Sequence, residues 1–335
     1  MKEFKEIPFE EYKQIEAINY SLLKRVADSG PLYSLEGSRE SDAMNLGSVV
    51  DDLLLNGNIS KYIVLEDDPP TAMTLDLANL VIDKCIKQLI SFKQLLELDN
   101  KEDFIFEVIK ENDLWSKNTD IIRKGKYKDN LKFFNYIQTK LSALDNKIVL
   151  SPDQWSKANE LVNILKTHEY TKDIIGVGIN QLTHVFTIDG ERYKIRLDKV
   201  IIDDENKTIT PYDLKTGYDK AHKFEKNFYM LRYYLQQSLY TIGILHFASK
   251  FYPGYTIEPF KFIYISTTEH NPYPIIYKMS EEWADLGWNG FIMNGRKYKG
   301  IEQLVKELNY YKESGCNIPM EVHECNGVMD MPLPY

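Results

Sequence analysis

Cysteine is scarce in this chain of 335 residues, with only Cys85, Cys316 and Cys325. The number is odd and no two stand at close metal-ligand spacing, so reduced thiols are the default and no iron-sulfur cluster is expected. Long hydrophobic runs are lacking as well. No apolar stretch approaches the roughly twenty residues that a membrane helix needs, and Met1-Lys2-Glu3-Phe4-Lys5 leads into charged sequence rather than a signal-like start. A soluble, cytoplasmic protein without a membrane partner is the expectation. Repeats and low-complexity tracts are absent, and positive charge is in deficit, with a formal net charge of −9. Against these absences stands a 43% hydrophobic content, enough for a sizeable core in one large α/β domain or two smaller ones.

The first portion of the chain reads as helical. Pro69-Pro70 ends an early unit, and Leu77 to Leu98 carries apolar residues at steps of three or four, through Leu77, Val81, Cys85, Leu89, Phe92 and Leu96. A polar stretch around Lys117 to Lys128 reads as a loop or a short hairpin-like insertion. Ser151-Pro152-Asp153 starts a helix that runs through Trp155 to Leu165, with serine as cap and proline in the first turn. From Ile174 the character changes to strands: Ile179 to Ile188, an Asp189-Gly190 hairpin turn, Arg192 to Ile202, and Lys207 to Lys215. Phe224 to Ser249 returns to helix, Phe260 to Ser266 and Pro274 to Met279 are further strands, and Ser280 to Tyr311 reads as mainly helical. This order predicts one continuous α/β domain over 1–335. Within it, 1–170 is a mostly helical region, 171–315 the core and 316–335 a tail.

Most of the chemistry lies in Arg196-Leu197-Asp198-Lys199-Val200 and Tyr212-Asp213-Leu214-Lys215-Thr216, two strands joined through the polar turn Asp203-Asp204-Glu205-Asn206. Side chains alternate faces along a strand, so Asp213 and Lys215 project the same way, and the hairpin can carry Asp198 to Asp213. Two carboxylates there make a hard-oxygen site suited to Mg²⁺ or Mn²⁺, one ion or two. A lysine beside them can orient an attacking water and neutralise a pentavalent phosphorus transition state. Pro211 removes a ladder hydrogen bond just before the acid, which favours splaying of the strands there.

At these residues the chain resembles the PD-(D/E)xK nuclease superfamily, in particular its RecB-like branch and the phage exonucleases of the RecE type. Asp198 falls on the first acid, Asp213 on the second, more often Glu, and Lys215 on the lysine. Tyr233-Tyr234-Leu235-Gln236-Gln237-Ser238-Leu239-Tyr240 is similar to the family's Y-x-x-Q-x-x-x-Y helix, in which Tyr233, Gln236 and Tyr240 share one stripe. Near the start, Tyr20-Ser21-Leu22-Leu23-Lys24 with Ser29-Gly30-Pro31 resembles an S-x-L-K element. Gly47-Ser48-Val49-Val50-Asp51-Asp52-Leu53-Leu54 resembles a G-x-x-x-H-x-x-L helix, with Asp51 at the histidine position and Asp52 as the adjacent alternative. A glutamate common on the strand before the first acid is missing, and Gln181 or His184 stands in that region. Histidine there is more simply satisfied by hydrogen bonds than used as a ligand.

The resemblance implies a restriction-endonuclease-like core, a mixed β-sheet flanked by helices, with a helical N-terminal elaboration. It implies catalytic roles for Asp198, Asp213, Lys215 and Gln236, and a metal set of Asp51, Asp198, Asp213 and Leu214. Ser21, Lys24, Lys220, Lys223, Tyr233 and Tyr240 are the implied DNA contacts. The activity implied is a metal-dependent exonuclease that degrades linear duplex DNA from its ends in phage recombination, in the host cytoplasm. An annealing protein and copies of the chain itself are the implied partners. A restriction-like or structure-selective endonuclease and a catalytically silent DNA-binding scaffold are the alternatives. The acidic total does not oppose DNA binding, because affinity for a duplex depends on local cations. Three segments interleave cations with aromatics: 123–128, 220–226 and 295–299.

Overall fold

The computed structural model describes residues 7–31, 42–57, 59–70, 72–143, 147–315, 318 and 320–328. They form two compact units, Met1–Gly57 with Leu161–Tyr335, and Asn58–Glu160. The helical region expected over 1–170 is thus shared between the two units, with boundaries at Gly57 and Leu161.

The first unit opens with α1 (Phe9–Gln14), α2 (Tyr20–Ser29) and α3 (Asp42–Asp51), the last continuing into a π-helical turn over Asp52–Asn56. Asn19 caps α2 by accepting a hydrogen bond from the Leu22 N–H at 2.8 Å. The second unit runs through β1 (Tyr62–Val64), α4 (Ala72–Lys87), α5 (Phe92–Glu97), α6 (Lys101–Glu111), α7 (Asp120–Gly125), α8 (Leu131–Ser142) and β2 (Ile148–Leu150). β1 and β2 pair in parallel, and the helices bury Leu77, Val81, Cys85, Leu95, Ile105, Ile109, Phe133 and Ile137. The single periodic helix expected over Leu77–Leu98 is two, because Leu89 turns into the left-handed region at φ +56 and Ser91 caps a fresh start. α7 occupies a section of the stretch expected as loop.

Helix α9 (Pro152–Thr167) carries the chain across Leu161, and its start is fixed by reciprocal Ser151 and Gln154 hydrogen bonds at 3.1 and 2.9 Å. After α10 (Lys172–Ile175) come β3 (Ile179–Ile188), β4 (Glu191–Asp203) and β5 (Thr208–Gly217), an antiparallel meander. Gly190 at φ +84 and Asp189 at φ +50 make the tight β3–β4 turn. The 3₁₀ turn Ala221–Lys223, α11 (Phe224–Met230) and α12 (Tyr233–Phe251) then cross over to β6 (Thr256–Ile257) and β7 (Lys261–Ser266), both parallel to β5. β8 (Ile275–Lys278) closes a six-stranded mixed sheet of order β3-β4-β5-β7-β8, with β6 beside β5. α12 lies on β3, β4 and β5, and its Leu235, Leu239, Ile244 and Phe247 form the core with Leu182, Ile195, Leu197 and Phe262.

The helix expected over Phe224–Ser249 is broken at Leu231 and Arg232, where Arg232 adopts φ +59. The region expected as mainly helical over Ser280–Tyr311 holds α13 (Glu282–Asn289), a hairpin of β9 (Phe291–Met293) and β10 (Arg296–Tyr298), and α14 (Ile301–Ser314). Asn294-Gly295, both at positive φ, is the turn that divides it. A short α15 (Met320–Glu324) follows. Among the described residues no helix is long and apolar enough to cross a membrane.

Candidate active site

β4 and β5 stay paired through Val200 with Pro211 and Lys199 with Tyr212, and the ladder ends there. Pro211 is therefore inside the ladder, and the strands diverge only beyond Tyr212. At the divergence, Asp198 takes over the role of a ladder acceptor: the Leu214 N–H donates to its Oδ2 at 2.8 Å. Asp213, almost fully buried, and Lys215 project from one face of β5, and the Lys215 ammonium donates to Asp213 Oδ2. α12 supplies Gln236, whose Nε2 donates to Asp213 Oδ1 at 2.7 Å. β5 runs parallel to β7 across a helical crossover, so these groups stand toward a strand's carboxyl end, the usual position of ligand sites in such sheets.

Asp51 arrives from α3. One turn earlier, Gly47 lies so near β5 that an added Cβ would sit 2.9 Å from Thr216 Oγ1, a close approach that suits a residue without a side chain. Desolvation, and then the Asp198 charge, raise the Asp51 carboxyl well above the usual range, with Lys215 opposing and Asp213 reinforcing. Asp52 is buried in the π-helical turn. Burial raises Asp213 to about 7, against the lowering effect of Lys215 and with Asp198 adding to the rise. Burial alone would lower Lys215, but Asp213, Tyr233 and Asp198 outweigh it and hold the ammonium above its ordinary value. Its Nζ also lies 5.1 Å from the centre of the Tyr233 ring.

The donors can be tested against a hard divalent cation. Asp198, Asp213 and Asp51 offer carboxylate oxygens, and the Leu214 carbonyl lies 3.4 Å from Lys215 Nζ at the same spot. Gln236 Oε1 is buried and has no hydrogen-bond partner among the described residues. Among the described residues no three acidic, imidazole or thiolate side chains converge into a ready-made cage. An ion that keeps several of its waters needs only one or two carboxylates, so the set fits Mg²⁺ or Mn²⁺.

Three residues outside the expected set join the site. Gln181 lies between Asp198 and Arg196, donating to Asp198 Oδ1 at 3.2 Å and accepting from Arg196 Nε at 2.7 Å. Its φ of +53 in a strand interior is an unfavourable conformation that costs about 1 kcal/mol or more. Counting back from the Asp189-Gly190 turn puts 181 opposite 198, a signal the sequence carried. Tyr20 is the third. Its hydroxyl donates to the Leu231 carbonyl at 2.6 Å, at the break between α11 and α12, and its ring lies 6.3 Å from that of Tyr233.

The implied DNA contacts divide. Lys220 and Lys223 are exposed on the turn after β5, which Tyr264, Tyr277 and Glu269 pin by hydrogen bonds to Asp219 and Ala221. Ser21 is exposed on the first turn of α2, and Lys24 is paired with Asp28 at 3.1 Å. Tyr233 is half-buried over Lys215. Tyr240 is buried, and desolvation raises its hydroxyl well above the ordinary value, so it backs Gln236 from within the core and does not face solvent. Of the other two basic segments, 123–128 pairs Lys124 with Asp103 and Lys128 with Glu102 and buries Tyr127. In 295–299, Tyr298 is buried and Lys299 binds Glu307 at 2.7 Å. His184 lies away from the carboxylates, against His246.

No protein-family model and no curated protein matches the chain. Among solved structures it is similar to a crystal structure from Eubacterium rectale described as "Putative exonuclease", at 14% identity and a TM-score of 0.49, over 99% of this chain and 96% of that one.

Proposed function

We propose that this chain is a metal-dependent deoxyribonuclease of the PD-(D/E)xK type that degrades linear duplex DNA from its ends. The observation that carries the reading is the convergence of Asp198, Asp213, Lys215 and Gln236 where β4 and β5 diverge. Asp198 and Asp213 would hold Mg²⁺ or Mn²⁺, with Asp51 and the Leu214 carbonyl at its margin. When bound, the ion supplies Lewis acidity toward the phosphate and acidifies a water. Lys215 keeps its proton and offsets the charge that builds on phosphorus in the transition state. Gln236 fixes one oxygen of Asp213, and the Tyr233 ring restrains the lysine. Lys220 and Lys223, exposed on the turn that follows the catalytic strand, attract the phosphate backbone locally despite the net charge of −9. Attack from ends, a place in phage recombination and an annealing partner rest on the likeness of 20–31 and 47–54 to RecE-type exonucleases.

The test is digestion of end-labelled linear duplex beside a closed circular plasmid with Mg²⁺, Mn²⁺ or EDTA. Progressive, metal-dependent loss of the linear DNA alone is expected, and the label gives the polarity. Lys215→Ala should reduce turnover by about 10²-fold or more while DNA affinity stays within about threefold. Nicking of the circle would make the enzyme an endonuclease. Full activity in Lys215→Ala would remove the site assignment.

A further inference from the structure

Both oxygens of Asp198 are engaged by the protein, Oδ2 by the Leu214 N–H at 2.8 Å and Oδ1 by Gln181 Nε2 at 3.2 Å. The Gln181 amide is itself fixed in one orientation, because its Oε1 accepts from Arg196 Nε at 2.7 Å. Arg196 is fixed in turn by donating through Nη1 to the Ile7 carbonyl at 2.7 Å and the Thr183 hydroxyl at 3.1 Å. Arg196 and Asp198 are two apart on β4 and share a face, so without an intervening group an arginine and an aspartate would pair directly. A direct pair would place a fixed positive charge on an oxygen that a divalent cation needs. A neutral amide between them transmits the orientation and keeps the guanidinium off the carboxylate. The left-handed backbone at Gln181 and its burial fit a side chain committed to that one task.

We infer that Gln181, locked by Arg196, is the positioning residue for Asp198, and that its neutral amide leaves the carboxylate able to take a divalent cation. The inference rests on the nuclease reading and names a residue that would tune its metal site from behind.

The experiment is Mn²⁺ binding to the full chain without DNA, followed by electron paramagnetic resonance, with thermal unfolding of every variant. Gln181→Asn keeps the amide and tolerates left-handed backbone but falls one methylene short of Asp198. It should weaken Mn²⁺ binding about tenfold, as loss of an outer partner of a ligand does, with Tm within about 3 °C of the parent. Gln181→Glu keeps the length and the bond to Arg196 but cannot donate to Asp198, and it should weaken binding too. Parental affinity in Gln181→Asn, or tighter binding in Gln181→Glu, would overturn the inference, the second because it would make position 181 a ligand site. Asp198→Ala separates the two levels: if it leaves the parent's Mn²⁺ binding unchanged, the nuclease reading falls and this inference with it. If it abolishes binding and Gln181→Asn does not weaken it, only this inference falls.

Discussion

Burial drives the His184 imidazole down to about 4, and His246 and Lys250 push the same way. The ring stacks on Phe186, meets Phe247 and Phe251 edge-on, and shares a 2.9 Å contact between its Nε2 and His246 Nδ1, which a single proton can bridge. In the unfolded chain the same group titrates near 6.5, so between the two values the unfolded state binds the extra proton. Its contribution to stability is complete above about pH 6.5 and is lost as pH falls toward 4. Between pH 7 and pH 5 the loss should amount to about 1 kcal/mol, with solvent screening discounted. Urea unfolding at the two pH values, beside His184→Leu, measures it: the variant should lose about that much less on acidification. Equal slopes in both proteins would mean that His184 stays as protonatable in the fold as outside it.

Among the elements, α3 meets β5 at Gly47 and Thr216, one turn before Asp51. Gly47→Val should force α3 away from the strand, because its Cβ alone would lie 2.9 Å from Thr216 Oγ1. The cost should be about 1–3 kcal/mol, together with, under the proposed nuclease function, a higher Mg²⁺ requirement for cleavage. Thr216→Ala in the same chain opens the space and should restore some of both. Absence of any recovery in the double variant would mean that the packing at this contact is not what brings Asp51 in. The elements that sequence could reveal are those with local signals: the Asp189-Gly190 turn, the Ser151 cap, and the strands whose β-branched runs end at polar turns. Arg232 carries no local signal for its left-handed backbone. Its Nε binds Asp28, and Tyr20 holds the adjacent Leu231 carbonyl, so that helix break depends on contacts more than two hundred positions apart in sequence. Asn294-Gly295 did carry a turn signal, but the apolar spacing around it also suits a helix. At the site, Asp213 and Lys215 were legible from a period of two, whereas Gln181 required the register of the hairpin and the burial of Tyr240 required the packing of α12.

At the scale of the whole molecule, the chain leaves one unit at Gly57 and returns to it at Leu161, and between these points Asn58–Glu160 builds a core of its own. Such an inserted unit of about 100 residues is long enough to fold alone when it buries a contiguous core. Its core draws on α4, α5, α6 and α8 together, with Leu77, Cys85, Leu95, Ile105, Phe133 and Ile137 fully buried. Its first and last strands are also neighbours, Tyr62 pairing with Ile148 and Val64 with Leu150, so the segment closes on itself in the way an insertion must. The described groups named at the Asp198 and Asp213 site all belong to the other unit's residues. A fragment of residues 58–160 should therefore be helical by circular dichroism and unfold in one cooperative thermal transition. Cys85 is the internal reporter, since its thiol is buried and desolvation raises its pKa. In the fragment it should react with a thiol reagent far more slowly than in urea. A fragment with native helix content but a fast-reacting Cys85 would be compact without a fixed core, and the unit would then owe its packing to the rest of the chain.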